Sequence, residues 1–371
     1  MIMVYSLSRG GAQRATVEMA RAWADLGWDI TILTLGEPEA DFFVPDPRVR
    51  HVRVPLPTQS RSTVASLRNN FKRIAAIRGV LRTLKPQAAL GMMSASAILL
   101  ALAGVGLPGR RYGSERTYPP MLPLRPGREL LRQVAYGMLD GVVCQTSAAA
   151  SWVSKRTWAR ATPVAPNSIS LPLPRQEPIL DPESILAPGD RCLLAVGRFS
   201  EEKQFDQLIS SFARIVPEAP NWKLVIVGDG PDRGAMQSQV VNAGLCDRVL
   251  LPGASGNIAD WYSRADLFVM TSRFEGFPNA LLEAAAHGVA MVSFDCLAGP
   301  SDIIEDHQSG LLVPADDFIR LEAALSQLMH DDDLRGAYAA RAREVNIRFG
   351  RQRVMGLWNR ALGLPDPGGV Q

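Results

Sequence analysis

Cysteine and histidine are scarce in this 371-residue chain, four of each, and both are scattered. Cys144, Cys192, Cys246 and Cys296 form no C-x-x-C pair and stand in apolar contexts, the usage of buried reduced thiols in a cytosolic protein rather than of a disulfide framework. His51, His287, His307 and His330 lack the spacing of a zinc site. Asp331, Asp332 and Asp333 do crowd together, but they open a polar helix and read as its cap, so no metal is expected. No G-x-G-x-x-G follows the first strand-like run, MIMVYSL, which counts against a nicotinamide or flavin enzyme. No signal peptide is visible before that run, and the expected location is the cytoplasm.

Acidic residues are missing from one long stretch. Between Pro47 and Ser114 the chain carries Arg48, Arg50, Arg53, Arg61, Arg68, Lys72, Arg73, Arg78, Arg82, Lys85, Arg110 and Arg111 and no Asp or Glu. Residues 1–170 hold 22 Lys+Arg against 10 Asp+Glu, a balance of +12; the rest hold 18 against 27, a balance of −9. A surface of one sign attracts anionic lipid headgroups, phosphates or nucleic acid. No nucleic-acid reader motif accompanies it, so the expected partner is an anionic membrane surface, met through basic residues 48–111 by a protein peripheral on the inner face of the cytoplasmic membrane.

Apolar residues at Val64, Leu67, Phe71, Ile74, Ile77, Leu81 and Leu84 recur in steps of three and four and predict an amphipathic helix over 60–85. Two readings of it stand, a docked surface helix with solvated charges and a helix facing phosphate or membrane. Charge is absent altogether from 88–109, 22 positions, the length of a membrane span. Gly91, Ser94, Ser96, Gly104 and Gly106 interrupt that run, and a strand followed by a buried helix accounts for it. Further on, Tyr118, Pro119, Pro120, Met121, Leu122 and Leu124, interleaved with Arg125 and Arg128, read as a mobile loop suited to an interfacial contact.

What is abundant is alternation of apolar strand and helix. At 371 residues, with 47% hydrophobic and 21% charged, the chain exceeds the size of a single growing core and predicts two α/β domains. The proline-dense segment TPVAPNSISLPLPRQEP at 162–178 is the expected linker. Runs such as CLLAVG, KLVIVG, LFVMT and AMVSF suit a parallel sheet covered on both faces.

Two stretches carry the chemistry. In TSRFEGFPNALLEAAAHG, at 271–288, Glu275 lies in a loop and Glu283 within a helix predicted to start at Pro278 or Asn279. The N–H groups exposed at such a start attract anions or sugar hydroxyls. In GRFSEEKQFD, at 197–206, Arg198 and Lys203 follow the strand CLLAVG and place two cations at the carboxyl end of a sheet, where open α/β folds bind ligands. Cations beside a helix N-terminus suit a diphosphate leaving group. Near the start of the chain, Gly10 and Gly11 again precede a helix and permit close backbone approach, or form an ordinary tight turn.

With VGDGPD at 227–232, GLLVP at 310–314 and the GG pair at 10–11, these motifs resemble, over nearly the whole chain, the retaining GT-B glycosyltransferases of family four, "group 1". The resemblance implies two Rossmann-like domains with parallel sheets facing each other across a cleft. It places an acceptor-binding domain at 1–170, a nucleotide-sugar domain at 171–348 and a helix at 349–364 that crosses back. It assigns Arg198, Lys203 and Glu275 to catalysis, and Gly276, Phe277, Pro278, Asn279 and Glu283 to donor binding, Glu283 on the ribose. Gly10 and Gly11 fall on the acceptor side. So do Glu115 and Arg116, near where the family carries a histidine-aspartate pair; they position the acceptor hydroxyl or pair with each other. Ala97 stands where an asparagine is common, and Asp302 replaces the glutamate of an SGPxEI-like element.

The expected reaction moves a hexose-type sugar from a UDP-linked donor to a lipid-linked or polysaccharide acceptor without a metal or other cofactor. The rivals are a nucleotide-sugar 2-epimerase on the same fold and a non-catalytic membrane-docked scaffold of a glycan assembly pathway. The basic first half speaks against the epimerase, and the intact Arg198, Lys203, Glu275 and Glu283 speak against the scaffold.

Overall fold

A computed structural model describes residues 1–8, 10–36, 41–54 and 63–365, with side chains from 68 onward in the last stretch. Arg61, Arg9 of the loop before Gly10, and the side chains of Val64 and Leu67 lie outside the described residues. The chain divides into two units, one formed by Met1–Asn167 with the segment from Gln352, the other by Ser168–Arg351. The sequence breaks were expected after 170 and 348.

The first unit is built on six parallel strands: β1 (Ile2–Val4), β2 (Thr31–Thr34), β3 (Arg50–Arg53), β4 (Ala88–Met92), β5 (Arg110–Glu115) and β6 (Gly141–Cys144), in the order β3-β2-β1-β4-β5-β6. The strands β1, β2 and β6 are buried at every position, as the apolar runs IMV and GVVC require of a sheet covered on both faces. The charge-free run at 88–109 is β4 plus the helix Met93–Gly104, closely docked on the sheet. Gly91 and Gly113 make that docking possible. A Cβ on Gly91 would lie 2.7 Å from Ala97 Cα, and one on Gly113 3.0 Å from Ala97 Cβ. Ala97 therefore fills the helix–sheet contact, where an asparagine does not fit. No described helix is long and apolar enough to cross a membrane.

The helix Arg351–Ala361 packs on this unit. Trp23 Nε1 donates to Asn359 Oδ1 at 2.8 Å, and Trp358, fully buried, donates to the carbonyl of Pro166 at 3.4 Å. The acid-free stretch is less one-sided in the fold than in the sequence. Arg48 pairs with Asp46 and Asp25, and Arg53 lies 3.5 Å from Asp41, all acids from outside the stretch. Arg78 and Arg111 donate to backbone carbonyls of Ala103, Val105 and Leu107, and Arg73 is buried. The exposed remainder that includes Arg68, Lys72, Arg82 and Lys85 is strung along or just past the 22-residue helix Thr63–Leu84, about 33 Å long.

The second unit repeats the plan with β7 (Arg191–Val196), β8 (Trp222–Val227), β9 (Val249–Gly253), β10 (Leu267–Met270), β11 (Ala290–Asp295) and β12 (Gly310–Pro314), ordered β12-β11-β10-β7-β8-β9 and again parallel. Counted from its own first strand this is the same winding, 3-2-1-4-5-6, as in the first unit. Its core joins Leu193, Phe199, Phe212, Leu224, Ile226 and Phe294.

Candidate active site

In a doubly wound sheet the crevice opens where neighbouring strands send their chains in opposite directions. In the second unit those neighbours are β7 and β10. The segment after β7 carries Arg198 and Lys203, and the segment after β10 carries Thr271, Arg273 and Glu275. The structure brings Lys203, Thr271, Arg273 and Glu275 together. Lys203 Nζ lies 2.5 Å from Glu275 Oε1, with the two side chains 21% and 15% exposed. Arg198 is exposed and makes no ion pair with any described residue.

Three contacts fix the turn Glu201–Lys203 that presents the lysine. Thr271 Oγ1 donates to the Lys203 carbonyl at 2.7 Å, the Arg273 N–H donates to the Glu202 carbonyl at 2.9 Å, and Ser200 Oγ donates to Glu202 Oε1 at 2.6 Å. Gln204 follows in the left-handed region, with φ of 53°, and turns the chain into the helix Phe205–Ile215. The glycines of VGDGPD serve this same segment. A Cβ on Gly228 would lie 1.8 Å from the Gly197 carbonyl oxygen, and one on Gly230 2.2 Å from that of Phe199. Only bare backbone lets the loop after β8 lie against the loop that holds Arg198.

The helix Asn279–His287 starts at one of the two residues expected, with Pro278 just before it. Phe277 and Pro278 are buried, Phe277 with its ring 5.5 Å from that of Phe349. Gly299, at φ of +103°, lies so close that its Cβ would meet Pro278 Cδ at 2.5 Å. The motif CLAGPSDII thus braces the turn that leads into the helix, while Gly276 is half-buried ahead of it. Glu283 is buried on the first turns of the helix, and Tyr262, from the helix Ile258–Arg264, donates its hydroxyl to Glu283 Oε2 at 3.1 Å. Cys296 is buried nearby, its thiol pushed up to about 12 by burial and by the charge of Glu275, which keeps it unreactive.

In the first unit Gly10 and Gly11 are exposed at the start of the helix Gly11–Asp25. Glu115 and Arg116 do not pair with each other: Glu115 is the last residue of β5, Arg116 lies just past it, and each is engaged by other residues. The Glu115 carboxylate is buried, accepts from Ser94 Oγ at 2.9 and 3.0 Å and from the Tyr136 hydroxyl, and lies 3.9 Å from Arg132. Burial raises its pKa above the ordinary carboxylate value. Arg116 donates to Asn167 Oδ1 and stacks 5.9 Å from the ring of Trp358. Its Nε and Nη1 are buried without a partner among the described residues, and burial lowers its pKa to about 10.

The family comparisons follow this division of the chain. A "Glycosyl transferase 4-like domain" matches residues 10–168 and "Glycosyl transferases group 1" matches residues 177–345. The chain thus carries a glycosyl transferase 4-like domain followed by a group 1 glycosyltransferase domain. It is 38% identical over 162 residues to the exopolysaccharide phosphotransferase SCO2592 of Streptomyces coelicolor, covering 43% of this chain and 17% of that protein. It is 31% identical over 169 residues to an N-acetylgalactosaminyltransferase of Campylobacter jejuni whose name specifies a diphospho-undecaprenol-linked acceptor, covering 46% of each. The chain spans less than half the length of these two relatives. Among solved structures it superposes on sucrose-phosphate synthase from Thermosynechococcus elongatus with a TM-score of 0.80 at 18% identity, covering 97% and 96% of the two chains. It also superposes on Anabaena HepE in complex with UDP and glucose, at 0.77 and 15%, covering 98% of each. The fold is GT-B.

The Lys203–Glu275 pair, the tyrosine on Glu283 and the brace from Gly299 were not legible in the sequence. The partners are 72, 21 and about 20 residues apart in the chain. No local period links them, although the T-x-R preceding Glu275 does supply two of the contacts that hold Lys203.

Proposed function

We propose that the protein transfers a hexose-type sugar from a nucleotide diphosphate sugar, UDP-linked, to a lipid-linked or polysaccharide acceptor, with retention of anomeric configuration and without a metal. The observation that carries this is the pairing of Lys203 with Glu275 at the switch point of the second sheet, with Arg198 on the same segment after β7 and the helix Asn279–His287 following Glu275 in the chain. Arg198 is an exposed cation free to meet phosphate. Lys203 is held by Glu275 and exchanges that partner for the diphosphate when donor binds. Glu275 is then released beside the sugar, and Glu283, oriented by Tyr262, receives the ribose hydroxyls. As the glycosidic bond breaks, negative charge grows on the departing nucleoside diphosphate, and the two cations stabilise it. Such a preorganised charge contributes about 2.7–4 kcal/mol to the transition state.

Gly10, Gly11 and Arg116 are assigned to the acceptor side. Glu115 serves it indirectly, by fixing the end of β5. The HepE structure, solved with UDP and glucose, supports the UDP assignment, and the Campylobacter relative supports a lipid-diphosphate acceptor.

The test is a panel of UDP- and GDP-sugars read by donor hydrolysis and thermal shift, repeated after chelation. Hydrolysis or stabilisation by one donor, unchanged by chelator, supports the reading. No response at millimolar concentration points to the scaffold, and C2 inversion of the free nucleotide sugar points to the epimerase.

A further inference from the structure

Residues 48–111 are not the surface best made for a membrane. The helix Pro126–Gly137 buries Arg132, Ala135 and Tyr136. Leu130, Val134 and Met138 follow one another at steps of four on the opposite side, with Leu131 beside them. Leu130 is 60% exposed, Leu131 40% and Met138 40%. Trp158, 65% exposed, stands at the edge of this face. Its N–H donates to the Gln133 carbonyl at 3.3 Å, and a Cβ on Gly137 would lie 2.9 Å from its own Cβ. The outward side of the helix therefore carries leucine, valine and methionine, with Trp158 of a neighbouring segment at its edge, where a surface helix normally carries charge.

Cations flank it. Arg125 and Arg128 at the start of the helix, and Lys155, Arg156 and Arg160 on either side of Trp158, are exposed and form no ion pair with any described residue. The neighbouring acids are engaged, Glu129 by Arg132 and Asp140 by the Arg111 N–H at 2.7 Å.

We propose that this face, Leu130, Leu131, Met138 and Trp158 with its flanking arginines, is where the protein docks on an anionic lipid surface. An apolar face that enters the headgroup boundary, with cations beside it to meet lipid phosphates, is the combination that holds an interfacial helix. The proposal rests on the reading of the acceptor as lipid-linked, and it moves the contact away from the stretch 48–111, whose arginines are partly spent on Asp25, Asp41, Asp46 and backbone carbonyls.

The experiment is co-sedimentation with vesicles of phosphatidylcholine and phosphatidylglycerol. The wild-type chain is expected to pellet with them. A variant carrying Leu130→Ser, Leu131→Ser and Trp158→Ser should partition at least about ten-fold less, and Arg125→Ala with Arg128→Ala should bind less and with a shallower salt dependence. Arg68→Ala with Lys72→Ala should bind as wild type. Should the triple variant be unstable, Leu130→Ser with Leu131→Ser alone carries the test, since both side chains are exposed. Unchanged binding by the leucine variant, or equal loss in the Arg68 and Lys72 variant, overturns the proposal. So does a loss of self-association in sedimentation velocity without a loss of vesicle binding, which makes the face a contact between copies of this chain. Donor hydrolysis in vesicle-free buffer reads the transferase assignment separately, and the leucine variant should retain it.

Discussion

Lys203 Nζ lies 2.5 Å from Glu275 Oε1, so the cation that follows β7 is paired with a carboxylate that follows the adjacent strand β10. The pair is part-exposed, and its two members answer differently to substitution. Lys203→Ala removes a charge from the diphosphate and should lower turnover about a hundred-fold or more. Glu275→Gln frees the lysine and should tighten UDP binding, by about five-fold if the pair is worth roughly 1 kcal/mol, while turnover still falls. Calorimetric titration with UDP and steady-state rates on the same variants separate the two. Weaker UDP binding in Glu275→Gln would refute the exchange of partners.

Tyr262 meets the candidate donor site at Glu283, whose carboxylate accepts from its hydroxyl at 3.1 Å. Tyr262→Phe deletes the hydroxyl and should raise the donor KM about five-fold, the value of one hydrogen bond of roughly 1 kcal/mol, with a smaller change in kcat. Thermal midpoint should move little, because the ring stays buried between Phe268 and His287. A fall in kcat with KM unchanged would remove Tyr262 from this role.

Two glycines should respond in opposite senses to alanine. Gly228→Ala drives a methyl into the Gly197 carbonyl at a φ of +151° and should destabilise the second unit by about 2–3 kcal/mol or more. Gly79, within the helix Thr63–Leu84, has nothing within 4 Å of an added Cβ, and Gly79→Ala should stabilise the first unit by about 0.5–1 kcal/mol. Urea unfolding of both variants checks the contrast.

Burial raises the Glu115 pKa above its ordinary value of 4.5, so the folded state favours the protonated acid. The stability this contributes is full below that value and is lost as pH rises through the raised one. Glu115→Gln removes the titration. The difference in Tm between wild type and Glu115→Gln should therefore move against wild type as pH rises from about 4.5 towards neutrality. A difference that is flat with pH, or that moves the other way, would show that Ser94, Tyr136 and Arg132 hold the carboxylate ionised.

The strands and the position of the candidate site were legible because both rest on local pattern. Apolar runs such as CLLAVG announce strands buried on both faces, and a proline two residues after a glycine announces the start of the helix that carries Glu283. What escaped was set by tertiary approach. Charge along 48–111 looked one-sided because its neutralising acids, Asp25, Asp41 and Asp46, stand outside the stretch. Glu115 and Arg116, adjacent in sequence, stand at and just past the end of β5, and their partners come from Ser94, Tyr136 and Asn167. The exposed leucines of the helix Pro126–Gly137 were hidden for the same reason, since apolar periodicity marks a face without saying whether protein covers it.

The first unit is assembled from both ends of the chain, and the bond between Trp23 and Asn359 spans 336 residues. On the ribosome, the second unit has all its residues before the first does. At about 5–20 residues per second the amino-terminal sheet waits roughly ten to forty seconds for its closing helix. Over that interval the seat of Trp358 beside Pro166 is uncovered, and the nascent first half is the part of the molecule that calls for a chaperone's shelter.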